Sequence, residues 1–291
     1  MHTNPSFPAP EDMHPWIAEY LAGRLQPIPA RLAATVVLLR DAPDGLEAYL
    51  IKRATSMAFA AGRYAFPGGR VDPQDADSAA AAWAGPSPEQ WAERFDCPAP
   101  DARALVAAAV RETFEETGVL LAGPSAEAVT GTTASADWEA DRLAVEAHEL
   151  PLGALLERRG LMLRTDLLAG WARWVTPVFE PRRYDTAFFV AALPDGQSAR
   201  EVSGETEGTV WARPANALAD FAAGRVAMLP PTVTTLQEIA AYDSVAAVLA
   251  AGAIRSLAPI MAEVRAEPDG TYSLVWPLTD EDDAEDEKPD A

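Results

Sequence analysis

Arg111-Glu112-Thr113-Phe114-Glu115-Glu116-Thr117-Gly118-Val119 places three carboxylates within five residues. On a helix, Glu112, Glu115 and Glu116 stand at i, i+3 and i+4 and share one face. Like charges at that spacing destabilise a helix. The face must therefore be solvated or be neutralised by a cation. Val106 to Val110 is entirely apolar and runs directly into the acids, so the acidic face emerges from a buried helix and not from a polar one. Hard divalent ions, Mg²⁺ or Mn²⁺, take oxygen ligands of this kind and commonly pair them with substrate phosphates. Arg111 can tie down one of the carboxylates or a neighbouring loop carbonyl. Asp101 is placed to cap this helix, and Gly118 suits a left-handed residue just past its end.

Outward from the helix, residues 31–40 and 46–52 read as a hairpin around the turn 41–45. Phe66-Pro67-Gly68-Gly69 reads as a sharp loop. Ser87-Pro88-Glu89-Gln90 has the form of a capping box with proline at the first helical position. Residues 119–122 follow the glutamate helix as a strand. Residues 136–157 read as one helix. Residues 172–177, 184–193 and 209–212 read as strands. Residues 214–223 and 232–251 read as helices, the latter capped by Thr232. Residues 261–277 read as a hairpin around Pro268-Asp269-Gly270, and a short helix is expected over 16–25. Strands and helices intermix without strict alternation, which predicts a mixed α/β class with a mixed sheet flanked by helices.

The acidic stretch resembles the second half of the Nudix box, G-x5-E-x7-R-E-U-x-E-E-x-G-U, at Arg111, Glu112, Glu115, Glu116, Gly118 and Val119. Thr113 stands where an aliphatic residue is usual. The first half begins at Gly69, and Asp75 stands where the box has its first Glu. Gly69 and Arg111 are 42 positions apart, against 14 in the box, an insertion of 28 residues. An insertion inside the box resembles the coenzyme A diphosphatase branch of the family. Arg53-Ala54, Gly62 and Phe66-Pro67-Gly68-Gly69 are similar to that branch's signature R-[S/A]-x3-R-x3-G-x3-F-P-G-G, with Ala58 at the place of its second Arg.

The resemblance implies a Nudix-type α/β/α sandwich with a mixed central sheet and a helical insertion over about 76–103. Residues 30–256 would form that domain, between an extension over 1–29 and a hairpin over 257–279. It implies metal-dependent hydrolysis of a diphosphate linkage in a nucleoside diphosphate derivative, with coenzyme A or an acyl-coenzyme A as first expectation. ADP-ribose or a dinucleotide is the alternative substrate, and a non-catalytic nucleotide-binding module the alternative class. Glu115 and Glu116 would be the main ligands of Mg²⁺ or Mn²⁺, Glu112 a third ligand or the group orienting the water, and the Gly68 carbonyl part of the metal shell. Glu205, and after it Glu207, would supply a further ligand or general base. Arg53, Arg63 and Arg183 are candidate substrate contacts. Arg111, Gly69 and Gly118 would be structural.

Composition bounds the partners. The 291 residues carry a formal net charge of −21, and residues 280–291 hold eight acids and one lysine, which leaves about −14 elsewhere. The tail reads as disordered. The remaining surface repels nucleic acid and anionic lipid, so a phosphate compound needs a local device. One cysteine, Cys97, excludes an internal disulfide and fits a cytoplasmic setting. No apolar run approaches the ~18 residues of a membrane span. A homodimer is an expectation from the resemblance alone. His148 reads as a surface residue, and Trp83 and Trp91 as packing of the insertion against the sheet. No phosphate-binding GKS/T loop, dinucleotide glycine motif, G-x-S-x-G elbow or H-E-x-x-H helix is present.

Overall fold

The structure, a computed structural model, describes residues 6–55, 60–76, 82–202, 204 and 206–276. The acidic run 280–291, Ala58 and Glu205 lie outside the described residues. The chain divides into a larger unit, Leu32–Ala172 with Thr186–Ala258, and a smaller one, Met1–Arg31 with Arg173–Asp185 and Pro259–Ala291.

The larger unit is a mixed α/β body. Its main sheet runs in the order Thr206–Ala212, Gly45–Arg53, Arg31–Ala42, Tyr184–Ala192, Leu168–Val175. Val36 to Leu39 are all inaccessible to solvent. A strand covered on both faces reads as a continuous apolar run, which is how this one stands in the sequence. Its hairpin partner pairs antiparallel, with Arg40 opposite Glu47 and their side chains in a 2.7 Å ion pair. Two short strands hang on this hairpin: Tyr64–Ala65 pairs with Gly45–Arg53, and Gly68–Arg70 with Arg31–Ala42. A second, small sheet is mixed, with Met162–Arg164 parallel to Trp83–Ala84 and antiparallel to Ala122–Gly123.

The helix Ala99–Thr117 presents Leu105, Val106, Ala109, Val110 and Phe114 to the main core. The insertion joins the same core. Its helix Pro88–Phe95 carries the expected capping box at Ser87 and Gln90. One turn apart, Trp91 and Phe95 both meet the Phe189 ring edge-on at 5.4 Å. The inserted tryptophans therefore pack, Trp91 in the core and Trp83 beneath the Arg103 guanidinium.

Several sequence expectations are corrected. The glutamate helix starts at Ala99 after Pro98, not at an Asp101 cap. Two prolines without N–H groups, Pro98 and Pro100, suit a first turn whose donors have no intrahelical partner. Residues 119–121 do not form a strand; only Ala122–Gly123 does. The Gln197 amide stands in for a neighbouring strand, accepting from the Leu120 N–H and donating to the Leu120 carbonyl. The helix expected over 136–157 is two, Ala136–Glu146 and Leu152–Arg159, broken where His148 takes φ 56° and Pro151 caps the next turn. The helix expected over 232–251 is likewise two, Pro230–Ile239 and Val245–Ile254. Leu229 and Ser244 are their caps, so Thr232 lies inside the first. The first strand of the 168–192 pair begins at Leu168, earlier than the expected 172.

In the smaller unit, Ser6–Pro8, Tyr272–Val275 and Glu263–Ala266 form an antiparallel sheet, and Pro259–Ile260 runs parallel to Arg173–Trp174. The helix His14–Leu21, shorter than the expected 16–25 and shifted toward the N-terminus, seats Ile17 in a small core with Ala9, Phe179, Ala262 and Leu274. Among the described residues, no helix is long and apolar enough to cross a membrane.

Candidate active site

Backbone proximity builds the site. In the strand Gly68–Arg70, Gly68 faces Thr35 and Gly69 faces Ala34. A Cβ on Gly68 would lie 2.4 Å from the Ala34 carbonyl oxygen. One on Gly69 would lie 2.4–2.6 Å from the Glu112 carboxylate. Only glycines allow the strand to sit this close to both neighbours. The Gly68 N–H donates to Glu116 Oε2 at 2.8 Å, and the Arg70 carbonyl accepts from Arg111 Nη2 at 2.8 Å. Residues 48 and 41 positions apart in sequence are thereby stitched side by side.

Arg111 is the hub. Its Nε and Nη2 donate to the two oxygens of Asp75 at 2.9 and 3.0 Å. Its Nη1 reaches Glu115 at 3.1 Å and Glu112 at 2.9 Å. Asp75, in the short helix Pro73–Ala76, is 1 % exposed and also accepts the Asp72 N–H. Three carboxylates thus lean on one guanidinium, and a fourth, Glu116, takes a backbone amide. Burial, reinforced by the charges of Glu115 and Asp75, pushes the Glu112 carboxyl up to about 7 in spite of Arg111. Burial also raises Glu115. For Arg111, burial works toward a lower value, but the Asp75 hydrogen bond and the three acidic charges outweigh it and hold the guanidinium charged. Burial raises the Tyr49 hydroxyl, with Glu201 and Glu116 adding to the rise.

The structure brings together Glu112, Glu115, Glu116, Gly68, Gly69 and Arg111. Gly118 closes the helix at φ 73°, with Arg200 lying over it. Thr113 enters the core by donating its hydroxyl to the Ala109 carbonyl one turn back. Arg53 and Arg63 meet each other: the Arg53 N–H donates to the Arg63 carbonyl at 3.0 Å, where the hairpin leads into Gly68–Arg70. Glu207 gives Oε1 to the Thr55 N–H and hydroxyl, and pairs Oε2 with Lys52 at 3.3 Å. Arg183 belongs to the smaller unit, where its guanidinium donates to the carbonyls of Thr176 and Ile28. His148, 56 % exposed, faces Asp72 at 3.5 Å.

Sequence reasoning missed Arg142 and Gln197, both buried and both bonded to backbone around the end of the glutamate helix. Arg142 stands between Glu139 and Glu146, at spacings that read as an exposed ion-paired face, so no local signal marks it as interior.

As to a metal, among the described residues no three acidic, histidine or cysteine side chains already converge as a cage, because Arg111 stands between Glu112 and Glu115. The donor set nonetheless fits a hard divalent cation. It offers carboxylate oxygens only, in a cluster whose acids outnumber the base that holds them, and burial, reinforced by the neighbouring acidic charges, raises Glu112 to about 7.

The family described as the NUDT19 Nudix domain matches residues 86–239. Among curated proteins, the chain is 28 % identical over 242 residues to the acyl-coenzyme A diphosphatase NUDT19 of Homo sapiens. It is 25 % identical over 228 residues to the protein of the same name from Xenopus laevis. These matches cover 69 % and 66 % of this chain but only 62 % and 59 % of the relatives' own length. Among solved structures, a Nudix hydrolase from Alicyclobacillus acidocaldarius superimposes with a TM-score of 0.66 at 30 % identity, covering 79 % of this chain and 99 % of that one. This chain accordingly belongs to the Nudix hydrolases, in the group defined by the NUDT19 Nudix domain.

Proposed function

We propose that this chain hydrolyses the diphosphate linkage of a nucleoside diphosphate derivative, with coenzyme A or an acyl-coenzyme A as substrate and Mg²⁺ or Mn²⁺ as cofactor. The observation that carries the proposal is the carboxylate excess around Arg111, set against the Gly68–Arg70 turn. A pyrophosphate is anionic, and this cluster repels it as it stands. A divalent cation held by these carboxylates would offset that repulsion and, when bound, would supply an acidified water for the attack. Glu115, Glu116 and Glu112 would hold it. Arg111 and Asp75 keep Glu112 and Glu115 aimed, and the Gly68 N–H does the same for Glu116. Glu205, the residue before the strand Thr206–Ala212, is proposed as the base that takes the water's proton or as a further ligand. Arg53 and Arg63, joined across their hairpin, are proposed to meet the substrate's phosphates. The names of the two NUDT19 relatives support the coenzyme A assignment.

The test is a product assay on the purified chain with coenzyme A, an acyl-coenzyme A, ADP-ribose and NADH, each with Mg²⁺ and with Mn²⁺. Release of 3′,5′-ADP from coenzyme A is the expected result. Turnover of ADP-ribose or NADH alone would move the substrate assignment. No turnover of any of the four, with Glu116→Gln indistinguishable from wild type, would leave a nucleotide-binding module.

A further inference from the structure

Glu115 is gripped at both ends by buried arginines. Its carboxylate lies against Arg111. Its carbonyl, one of the last in the helix Ala99–Thr117 and so in want of a partner, accepts from Arg142 Nη1 at 2.7 Å.

Arg142 is 1 % exposed and sits on the helix Ala136–Glu146. Its Nε and Nη2 donate to Glu139 at 3.0 and 2.7 Å. Nη1 also reaches Glu146 at 2.9 Å, and Nη2 reaches the Val202 carbonyl at 3.1 Å. One planar fork therefore joins the end of the glutamate helix to the segment that leads into the strand Thr206–Ala212. Arg200 strengthens the same junction. Its backbone N–H donates to the Thr117 carbonyl at 2.9 Å, and its guanidinium lies 3.5 Å from Glu139 and donates to the Thr133 carbonyl. Glu139 is thus shared by the two arginines, and both bond to the backbone of the helix end.

We infer that Arg142 is a positioning residue for the carboxylate set: it fixes the last turn of the glutamate helix, and so the directions of Glu115 and Glu116, against residues 199–202. The inference rests on the metal-dependent reading above. The arrangement suits its task. A cation at a helix C-terminus is favoured by the helix dipole. The forked, delocalised guanidinium can satisfy two carbonyls and two carboxylates at once, which a lysine ammonium cannot do with the same geometry.

The experiment compares wild type with Arg142→Lys and Arg142→Met. Mn²⁺ affinity is read from the electron paramagnetic resonance of free Mn²⁺ without substrate, kcat and KM from coenzyme A hydrolysis at saturating Mn²⁺, and Tm in EDTA. We expect Arg142→Lys to fold, to bind Mn²⁺ more weakly and to lose kcat, each by about 10- to 100-fold, with KM within about threefold, the scale seen when groups behind metal ligands are removed. A variant that loses Tm but keeps Mn²⁺ affinity and kcat within about twofold of wild type would reduce Arg142 to a merely structural residue and overturn the inference. If neither variant folds, Glu139→Gln decides, because it withdraws the carboxylate shared by Arg142 and Arg200. A fall in Mn²⁺ affinity supports the inference, and unchanged affinity overturns it. If wild type binds Mn²⁺ but cleaves no diphosphate, the functional reading fails while the affinity comparison still judges Arg142. If wild type does not bind Mn²⁺, both fall.

Discussion

Arg111 and Arg142 are both buried, and both hold the last turns of the helix Ala99–Thr117, yet they hold different things. Arg111 faces side chains: Asp75, Glu112 and Glu115, with one carbonyl, that of Arg70. Arg142 faces two carbonyls, of Glu115 and Val202, and two acids, Glu139 and Glu146, that are 33 % and 29 % exposed. The first compensates charge that cannot reach water. The second supplies direction to backbone, and its own acidic partners can rehydrate. The difference teaches that a buried arginine beside a carboxylate cluster can serve either the charge balance or the geometry, and the two uses should respond differently to added cation.

The largest expected effect lies on the proposed metal-binding carboxylates themselves. Glu116→Gln keeps the hydrogen bond from the Gly68 N–H and the shape of the site but removes a charge. We expect kcat to fall by about three orders of magnitude or more, roughly 4 kcal/mol of barrier, with circular dichroism unchanged. Next comes Arg111→Met, which leaves three acids without their shared base and should cost about 3–5 kcal/mol in metal-free protein. Urea denaturation in EDTA measures it. Arg142→Met should cost less, because Glu139 and Glu146 turn to solvent. Saturating Mn²⁺ should restore much of the stability of Arg111→Met, since a divalent ion replaces the missing charge, and little of that of Arg142→Met. Equal rescue of the two variants would break the distinction between charge balance and geometry.

Proton linkage sharpens the same comparison at intermediate size. Glu112 moves from 4.5 to about 7 on folding, and Glu115 moves in the same direction. The folded protein therefore binds more protons than the unfolded chain between those values. The stability this confers is full below the ordinary glutamate range and is lost as pH rises to about 7. In EDTA the unfolding free energy should fall by on the order of 1–3 kcal/mol from pH 5 to pH 7.5, and Glu112→Gln should flatten the curve. With Mn²⁺ present the gain from metal should grow over the same window, because the cation needs the deprotonated carboxylate.

The contrast between the arginines also marks how much of the molecule was legible in the sequence. Arg111 could be read because its neighbours are local: the acids at i+1 and i+4 and the glycine past the helix end follow from helical spacing. The hairpin and the capping box at Ser87 were legible for the same reason. Its bond to Asp75 spans 36 positions; the resemblance put Asp75 in the box but did not place it against Arg111. Arg142 was not legible. Its decisive partners are carbonyls at 115 and 202, and a carbonyl looks alike at every position of a sequence. The helix breaks near His148 and Ser244 failed on similar grounds. A left-handed residue in one case and a side-chain cap in the other override continuous helical composition.

The smallest effect concerns Thr113, which points into the core between the two arginines' territories. The family pattern has an aliphatic residue there, and the chain meets the departure by returning the hydroxyl to the Ala109 carbonyl. Thr117 does the same with the Thr113 carbonyl. Such back-bonding satisfies the hydroxyl at a site that is 0 % exposed, yet it gives the helix nothing that the regular ladder lacks. Thr113→Val exchanges the hydroxyl for a methyl of similar volume and leaves no orphaned acceptor, since the Ala109 carbonyl keeps its helical partner. The change in stability should be within about 1 kcal/mol of zero and on the stabilising side, with kcat and Mn²⁺ affinity within about twofold of wild type. A loss of Mn²⁺ affinity in Thr113→Val, at unchanged stability, would place the hydroxyl in the alignment of Glu112 and Glu116, and the division of labour between Arg111 and Arg142 would have to admit a third member.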